Sequence, residues 1–429
     1  MSRNIRIYWL TKAICILAVL STGSLWAQSA QTTPGGAPVT LKQAFDAAWA
    51  RQPESQSLAT RRDAAEARRQ SANRWTAEPP TLELSGKTDQ INKNQGSREY
   101  LVGVALPLWL PGERDRTGAL ADAESRATDS RALAAQLRTA ATVREAWWNW
   151  QRAHIEQALA RERLSNAQRL AADVARRVKA GDLARADQHQ ADGAAASAEV
   201  GLAEAISLLA TATQRLRALT GITPTIQNMN VSAVADEPLP AAAIDFAALE
   251  SSHPAVVELF DRAEVARRSV DLSRAQTRTN PELILATTRD RSAFGNAYQQ
   301  TITVGVRIPF GSESRNRAKV SQASAEAMEA EGQLRLERER LIAELDAARV
   351  RIDSARTQLS AAEKRALLAR ESRSFFEKSF RMGETDLPTR LRIDLEAAEA
   401  ERQSARIRID LATAISALRQ SLGLLPEQK

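Results

Sequence analysis

The chain has 429 residues, with 59 Lys and Arg against 52 Asp and Glu, a formal net charge of +7, and only 4% aromatic residues. Its basic residues are interleaved with acidic ones, as in EVARRSVDLSRAQ, which is typical of solvated helix surfaces and argues against a nucleic-acid-binding patch. Long runs rich in Ala, Arg, Glu, Leu and Gln argue against one large compact core.

The N-terminus has the three parts of a secretory signal peptide. Three basic residues precede an apolar run from Ala13 to Leu20, and small and polar residues follow up to Ala27. The apolar run is too short to cross a bilayer as a mature helix. We therefore predict a signal peptide at 1–27 that is cleaved near Ala27. The only cysteine, Cys15, lies within it, so the mature protein is expected to have neither disulfides nor thiolate metal sites.

The rest of the chain consists of two similar halves. The segment YLVGVALPLWLPGERDR at 100–116 has a near-copy, ITVGVRIPFGSESRNR, at 302–317. Prolines and glycines elsewhere keep nearly the same spacing between the halves. We predict a first repeat at 28–221, an irregular linker at 222–245, a second repeat at 246–423 and a C-terminal tail at 424–429.

Each repeat is predicted to begin with a helical segment that a proline interrupts. Apolar residues recur at helical spacing from Val39 to Trp75, with a break at Gln52-Pro53. The second repeat has the same pattern from Ile244 to Arg278, with its break at His253-Pro254.

Two alternating strands follow in each repeat, which predicts hairpins at 81–110 and 282–310. The apolar positions of the returning strands are Tyr100, Val102, Val104, Leu106 and Leu108 in the first repeat, and Tyr298, Ile302, Val304, Val306, Ile308 and Phe310 in the second. The other face is polar and includes Thr301, Thr303 and Arg307. One face is therefore expected to meet an apolar medium and the other water. The alternative is an ordinary four-stranded sheet that packs on helices.

A very long helix is predicted after each hairpin, from Glu113 to Val178 and from Glu313 to Phe380. Roughly 65 residues at about 1.5 Å each make a rod about 100 Å long, which exceeds any four-stranded sheet. Gly181 and Gly383 are expected to end these rods, because glycine adopts the left-handed helix terminus readily. Helices that return from these turns are predicted to end at two further glycines, Gly221 and Gly423.

The returning helices also have candidate capping residues. Asp182 is expected to cap the first, and Thr385 or Asp386 the second, with Pro388 in its first turn.

Within one subunit, neither the polar groups at the strand edges nor the packing faces of the rods all find partners. Unpaired strand edges cost several kcal/mol for each polar group in a bilayer, and rods with alanine on more than one side need two close neighbours. Both features predict a closed ring of identical subunits.

These features together resemble the outer-membrane efflux duct family that includes TolC. The turn RIPFGSESRNR at Arg307–Arg317 is most similar to the CzcC-like, heavy-metal branch. The resemblance implies a mainly α fold with a small β part, in which duplicated long-helix hairpins form a trimeric α-barrel tunnel. Four strands per chain would contribute to a 12-stranded transmembrane β-barrel.

The family also implies a location and partners. The protein would be a homotrimer in the outer membrane of a Gram-negative cell, in contact with outer-membrane lipid, with a long periplasmic portion. A periplasmic adaptor (membrane fusion protein) and a proton-driven inner-membrane RND pump would complete the efflux system. Heavy-metal cations are the leading substrate; drugs or other small organic compounds are the alternative within the family, and a soluble periplasmic coiled-coil scaffold is the alternative outside it.

The resemblance further implies that the rod tips contact the adaptor and close the pore. The turn residues expected to contact the adaptor are Gly181, Asp182, Gly383, Glu384 and Asp386. Asp187 corresponds to a gate carboxylate of the drug-efflux branch, and Phe380 to its aromatic partner. Thr385 stands where that branch has an arginine, so Arg381 or Arg390 would have to substitute.

Several carboxylates near the tips would favour cations if a trimer brought them together. They are Asp182, Asp187, Asp192, Glu384, Asp386 and Asp394. The alternative is that these residues cap helices or lie on solvated faces.

No residue pattern in the sequence indicates an enzyme, a cofactor site or a stable metal site. The histidines, His154, His189 and His253, are far apart and lack further ligands at metal-binding spacing. Trp147, Trp148 and Trp150 are interpreted as packing residues on the first rod. We therefore expect a conduit.

Overall fold

The computed structural model describes residues 39–224, 237–240, 251–311 and 313–427. The signal peptide predicted at 1–27 and most of the linker predicted at 222–245 lie outside these ranges. The described helices are α1 Leu41–Arg51, α2 Pro53–Ala72, α3 Glu113–Ala180, α4 Arg185–Thr220, α5 Pro254–Ala275, α6 Glu313–Met382 and α7 Leu387–Ser421. The described strands are β1 Thr81–Thr88, β2 Arg98–Pro107, β3 Glu282–Arg291 and β4 Gln299–Arg307.

The proline breaks lie where the sequence predicts them. Thr40 caps α1 through a capping box, in which Gln43 N–H donates to Thr40 Oγ1 (3.2 Å). Gln52 is extended and Pro53 begins α2, because proline disfavours helical backbone in the residue before it and is tolerated in a first turn. His253 is likewise the extended N-cap residue ahead of Pro254.

The four strands form one antiparallel sheet in the order β1-β2-β3-β4. The central β2–β3 pairing joins the two repeats and places Val104 opposite Leu285. Val104 also lies opposite Leu82 on β1, and Leu285 opposite Val304 on β4. The register thus aligns the apolar stripes of all four strands on one face.

That apolar face is exposed in the described chain. The exposed fraction is 66% for Leu84 on one edge strand and 77% for Ile302 on the other. Among the described residues no helix covers this face, which contradicts the alternative of an ordinary sheet packed on helices.

The rods have the predicted length, and their ends match the prediction to within two residues. Helices α3 and α6 contain 68 and 70 residues, which is about 100 Å each at about 1.5 Å per residue. Helix α3 packs against α4, α5 and α2, whereas α6 packs mainly against α7 and α5. The three tryptophans are buried packing residues, as predicted, and Trp148 Nε1 donates to Ser416 Oγ (2.8 Å).

Glu113 joins the sheet to the start of α3. Its carboxylate is buried and accepts hydrogen bonds from the Leu110 N–H (3.0 Å), from Gln276 Nε2 (2.8 Å) and from Asn280 Nδ2 (2.6 Å). The last two donors belong to the second repeat. One carboxylate therefore ties the first rod to the polypeptide that leads into β3.

The rod ends correct one predicted cap. Gly181 is left-handed (φ 88°), and the N–H groups of Gly181 and Asp182 donate to Val178 O and Arg177 O. Asp182 is thus occupied in closing α3, and Ala184 is the N-cap residue of α4, so the prediction that Asp182 caps α4 is wrong. In the second repeat, Asp386 is the N-cap residue of α7, with Pro388 in its first turn, as predicted, although its side chain makes no capping hydrogen bond.

Candidate functional site

The two rod tips are held together by one apolar cluster. Its buried members are Val174, Ala191, Phe380 and Leu387, drawn from α3, α4, α6 and α7. Phe380 is 3% exposed, so in the described chain this candidate gate residue lies inside the cluster. The cluster fixes the two turns relative to each other because it contains side chains from both repeats.

Arg177 also connects the tips. Its guanidinium lies 4.9 Å from the centroid of the Phe380 ring, and its Nη1 donates to the Phe380 carbonyl (3.0 Å). The sequence does not reveal this role of Arg177. Its counterpart in the second repeat is Ser379, so comparison of the two repeats does not single it out.

Asp187 lies in the first turn of α4. Its Oδ2 accepts a hydrogen bond from the Ala184 N–H (3.0 Å), and a carboxylate there is favoured by the positive end of the helix dipole. Thr385 is hydrogen-bonded to Ser379 across the Gly383 turn, with 2.6 Å between the two hydroxyl oxygens.

The two candidate gate arginines have different surroundings. Arg390 is buried; its Nη1 donates to the Arg373 carbonyl (2.8 Å), and its Nε lies 3.0 Å from Asp394 Oδ2. Arg381 is exposed and pairs with Glu377 at 3.2 Å. Within the described residues, neither arginine forms an ion pair with Asp187, so the chain alone does not assemble these residues into one group.

Burial raises the pKa of Asp394, and the cations of Arg390 and Arg373 oppose that rise.

The residues expected to contact an adaptor lie together at the ends of the rods. Gly181, Asp182, Gly383, Glu384 and Asp386 are all exposed. Gly181 and Gly383 both have positive φ, which an L-residue adopts only with strain.

The polar face of the sheet carries the residues predicted to face a lumen. Arg307 Nη1 lies 2.8 Å from Glu282 Oε2, and Lys87 Nζ lies 3.0 Å from Glu99 Oε1. Thr301 and Thr303 share this face, since they alternate with the apolar positions of β4.

In the described part of the chain, no group of three or more His, Cys, Asp or Glu side chains is placed to hold a metal ion. The pKa of His154 is lowered by burial and by the nearby cation of Arg161. Burial also lowers the pKa of His253.

The chain resembles known proteins in both sequence and fold. Residues 44–222 match the profile of the family described as outer membrane efflux protein. No curated protein sequence matches the chain.

Solved structures of channels share the fold over most of their length. A structure of CusC, described in terms of folding and transmembrane channel formation, has a TM-score of 0.74 at 18% identity and covers 92% of this chain and 96% of its own. The Campylobacter jejuni CmeC outer membrane channel has a TM-score of 0.72 at 14% identity, over 93% and 92%.

The open state of the Neisseria gonorrhoeae MtrE outer membrane channel has a TM-score of 0.72 at 15% identity, over 90% and 89%. The chain therefore has the fold of TolC-like outer-membrane channels, and its residues 44–222 carry the sequence pattern of the outer membrane efflux protein family.

Proposed function

We propose that three copies of this chain form the outer-membrane channel of a tripartite efflux system, which exports heavy-metal cations received from a periplasmic adaptor and an inner-membrane RND pump. In this proposal residues 1–27 are the signal peptide. The repeats at 28–221 and 246–423, joined by the linker at 222–245 and followed by the tail at 424–429, each supply one hairpin and one pair of long helices.

The observation that carries the proposal is the exposed apolar face of a sheet whose two edges are open. Such a face is stable in lipid, but open edges are not, because lipid offers no partner for backbone N–H and C=O groups. Pairing β4 of one copy with β1 of the next removes the edges, and three copies supply twelve strands. Ten residues at about 3.3 Å each, tilted in a barrel, match the apolar band of about 25 Å typical of such barrels.

Helix α6 supports the same assembly. Its exposed apolar side chains, Leu336, Val350, Leu368 and Phe375, form a stripe that faces away from the buried residues Leu341, Leu345 and Ile352. A stripe on the side remote from the subunit's own helices requires a partner helix. Helix α4 also exposes apolar surface. It contains an 18-residue stretch that is apolar enough to cross a membrane by length and composition, yet only 11% of that stretch is buried within the described chain.

The choice of heavy-metal cations rests on the CzcC-like turn and on the carboxylates near the rod tips. Asp182, Asp187, Glu384 and Asp386 lie at or next to the two turns, where three copies would place them around one opening. Carboxylate rings favour cations at such openings. Export of drugs or other small organic compounds is the competing assignment, and the geometry of the isolated chain is compatible with both.

Three experiments test the proposal. Membrane fractionation of the native host should recover the protein with the outer membrane, and the purified protein should insert in planar bilayers with stepwise conductance. Recovery in the periplasmic wash as a monomer would instead support the soluble scaffold. A strain that lacks the gene should become sensitive to zinc, cobalt, cadmium or copper; sensitivity to a drug panel alone would reassign the substrate and leave the channel intact.

A further inference from the structure

The end of the sheet farthest from the rods carries cations on the apolar face. Arg98 on β2 and Arg289 and Arg291 on β3 continue the alternation that places Val102, Val104 and Leu285 on that face. We call these three arginines the basic rim. The hairpin loops lie beside it, and the strand ends that lead into the rods lie at the opposite end of the sheet.

Aromatic rings hold two of these cations in place. The guanidinium of Arg289 lies 5.0 Å from the Tyr298 ring centroid, and that of Arg291 lies 5.1 Å from the same centroid. Arg291 is also 5.4 Å from the centroid of Phe294 and donates to the Gly96 carbonyl (3.0 Å). Stacking on rings orients a guanidinium while leaving donors on its edge for another partner.

The charge of the basic rim is not balanced on its own face. Arg98 lies directly opposite Arg291 in the register, and like charges at such positions repel. The acidic residues of the strands all alternate onto the other face; they are Glu83, Glu99, Glu282 and Asp290. Within the described ranges, no carboxylate forms an ion pair with any of the three arginines.

We propose that the basic rim binds phosphate groups of an anionic lipid in the surrounding membrane, whose acyl chains lie along the apolar face next to it. The inference rests on the proposed function, because only a membrane-embedded barrel presents this face to lipid. Guanidinium groups bind phosphate oxygens in a bidentate manner, and Arg beside Tyr is typical of the level of lipid headgroups. With the rods in the periplasm, the basic rim lies in the outer leaflet, where lipid A carries two phosphates.

The experiment measures lipid A binding to the purified mature protein by native mass spectrometry in detergent. The test variant combines R98Q with R289Q, since neither side chain donates a hydrogen bond within the described chain. The matched control combines K87Q on β1 with R307Q on β4, which removes two cations from the opposite face of the same sheet.

We expect the test variant to lose at least about tenfold in affinity for bis-phosphorylated lipid A, because one hydrogen bond to a charged group contributes about that much. The control should bind as the unmodified protein does. Unchanged binding by the test variant, or equal binding of dephosphorylated lipid A to the unmodified protein, would overturn the inference. Equal competition by inorganic phosphate would overturn it as well, because the acyl chains would then contribute nothing.

Conductance of the same preparations in planar bilayers separates the two proposals. Normal conductance together with unchanged lipid binding by the test variant rejects the basic rim as a lipid site and leaves the channel standing. Failure of the unmodified protein to conduct rejects the channel, and the lipid site with it.

Discussion

Arg144, in the middle of α3, and Glu237, in the segment between the repeats, form a fully buried ion pair. Arg144 Nη2 lies 2.6 Å and its Nε 3.0 Å from the two carboxylate oxygens, and Arg419 Nε on α7 lies 3.3 Å from the same carboxylate. Glu237 therefore pairs with two buried cations, of which Arg419 also pairs with Glu427 (3.1 Å), and connects both repeats through the segment that joins them.

This arrangement predicts that E237Q is strongly destabilising. The substitution leaves buried Arg144 without a counterion and leaves Arg419 with only the exposed Glu427, at 3.1 Å. Removing one partner of a buried ion pair costs about 3–5 kcal/mol. Thermal unfolding in detergent, followed by circular dichroism, measures the effect. The matched control is D129N, which removes an exposed ion pair with Arg62 at 2.8 Å and should change stability by no more than about 1 kcal/mol. Equal unfolding midpoints for E237Q and D129N would contradict the prediction.

The repeat predicts the contact between neighbouring subunits. Within the chain, Val104 on β2 lies opposite Leu285 on β3, and the equivalent residues on the open edges are Val306 and Leu84. We expect Val306 of one subunit to lie opposite Leu84 of the next.

Because Cys15 belongs to the predicted signal peptide, engineered cysteines should be the only thiols in the mature protein. The double variant L84C with V306C should form a reducible covalent trimer on mild oxidation, seen by electrophoresis without reductant. The control is S85C with V306C, because residue 85 points to the opposite face. A covalent trimer in the control alone would mean that the proposed register is shifted by one residue.

Asp187 accepts a hydrogen bond at the start of α4, and this structural role must be distinguished from a role in closing the pore. D187A removes both the charge and the acceptor for the Ala184 N–H, whereas D187N retains an oxygen that can accept it. We expect both variants to raise single-channel conductance in planar bilayers, because both remove the charge. An increase in D187A alone would assign the effect to the start of α4, which a lost cap destabilises by about 0.5–2 kcal/mol. An unchanged closed level in both would remove Asp187 from the gate.

His253 makes stability depend on pH. It is buried at the start of α5 beside Gly423, and burial lowers its pKa, although the Gln420 backbone and Glu344 oppose the shift. The imidazole of the unfolded chain therefore takes up a proton first as the pH falls below about 6.5. The free energy of unfolding is expected to be highest above that pH and to decrease below it.

The measurement compares thermal midpoints between about pH 7.5 and about pH 5. H253N, which keeps a favourable N-cap residue, should show a smaller decrease than the unmodified protein. H189N, at an exposed position, should retain the full decrease; a decrease in H253N as large as that of the unmodified protein would show that other groups dominate.

The sequence predicts the ends of the rods and the apolar face of the sheet because both repeats contain the same glycines, prolines and alternating apolar residues. Gly181 and Gly383 end the rods, and the parity of Val102 and Val304 places the apolar face. These signals are local, or they repeat at a fixed spacing, so the chain itself reveals them.

Contacts that cross between the repeats carry no such signal. Arg177 of the first repeat reaches Phe380 of the second, although the counterpart of Arg177 is a serine, and Arg144 meets Glu237 of the linker across 93 residues. The cap at Asp182 is mispredicted because the N–H groups of Gly181 and Asp182 close α3, and the next helix begins only after its N-cap residue Ala184.

The carboxylate of Glu113 has a mechanical consequence for the proposed ring. Its counterpart in the second repeat is Arg315, which cannot accept the hydrogen bonds that Glu113 receives. In the proposed ring, three α3 rods that Glu113 hydrogen-bonds to the segment leading into β3 would alternate with three α6 rods that lack these hydrogen bonds. At the junction between barrel and tunnel the symmetry of the ring would therefore be threefold, although the hairpins repeat six times around it.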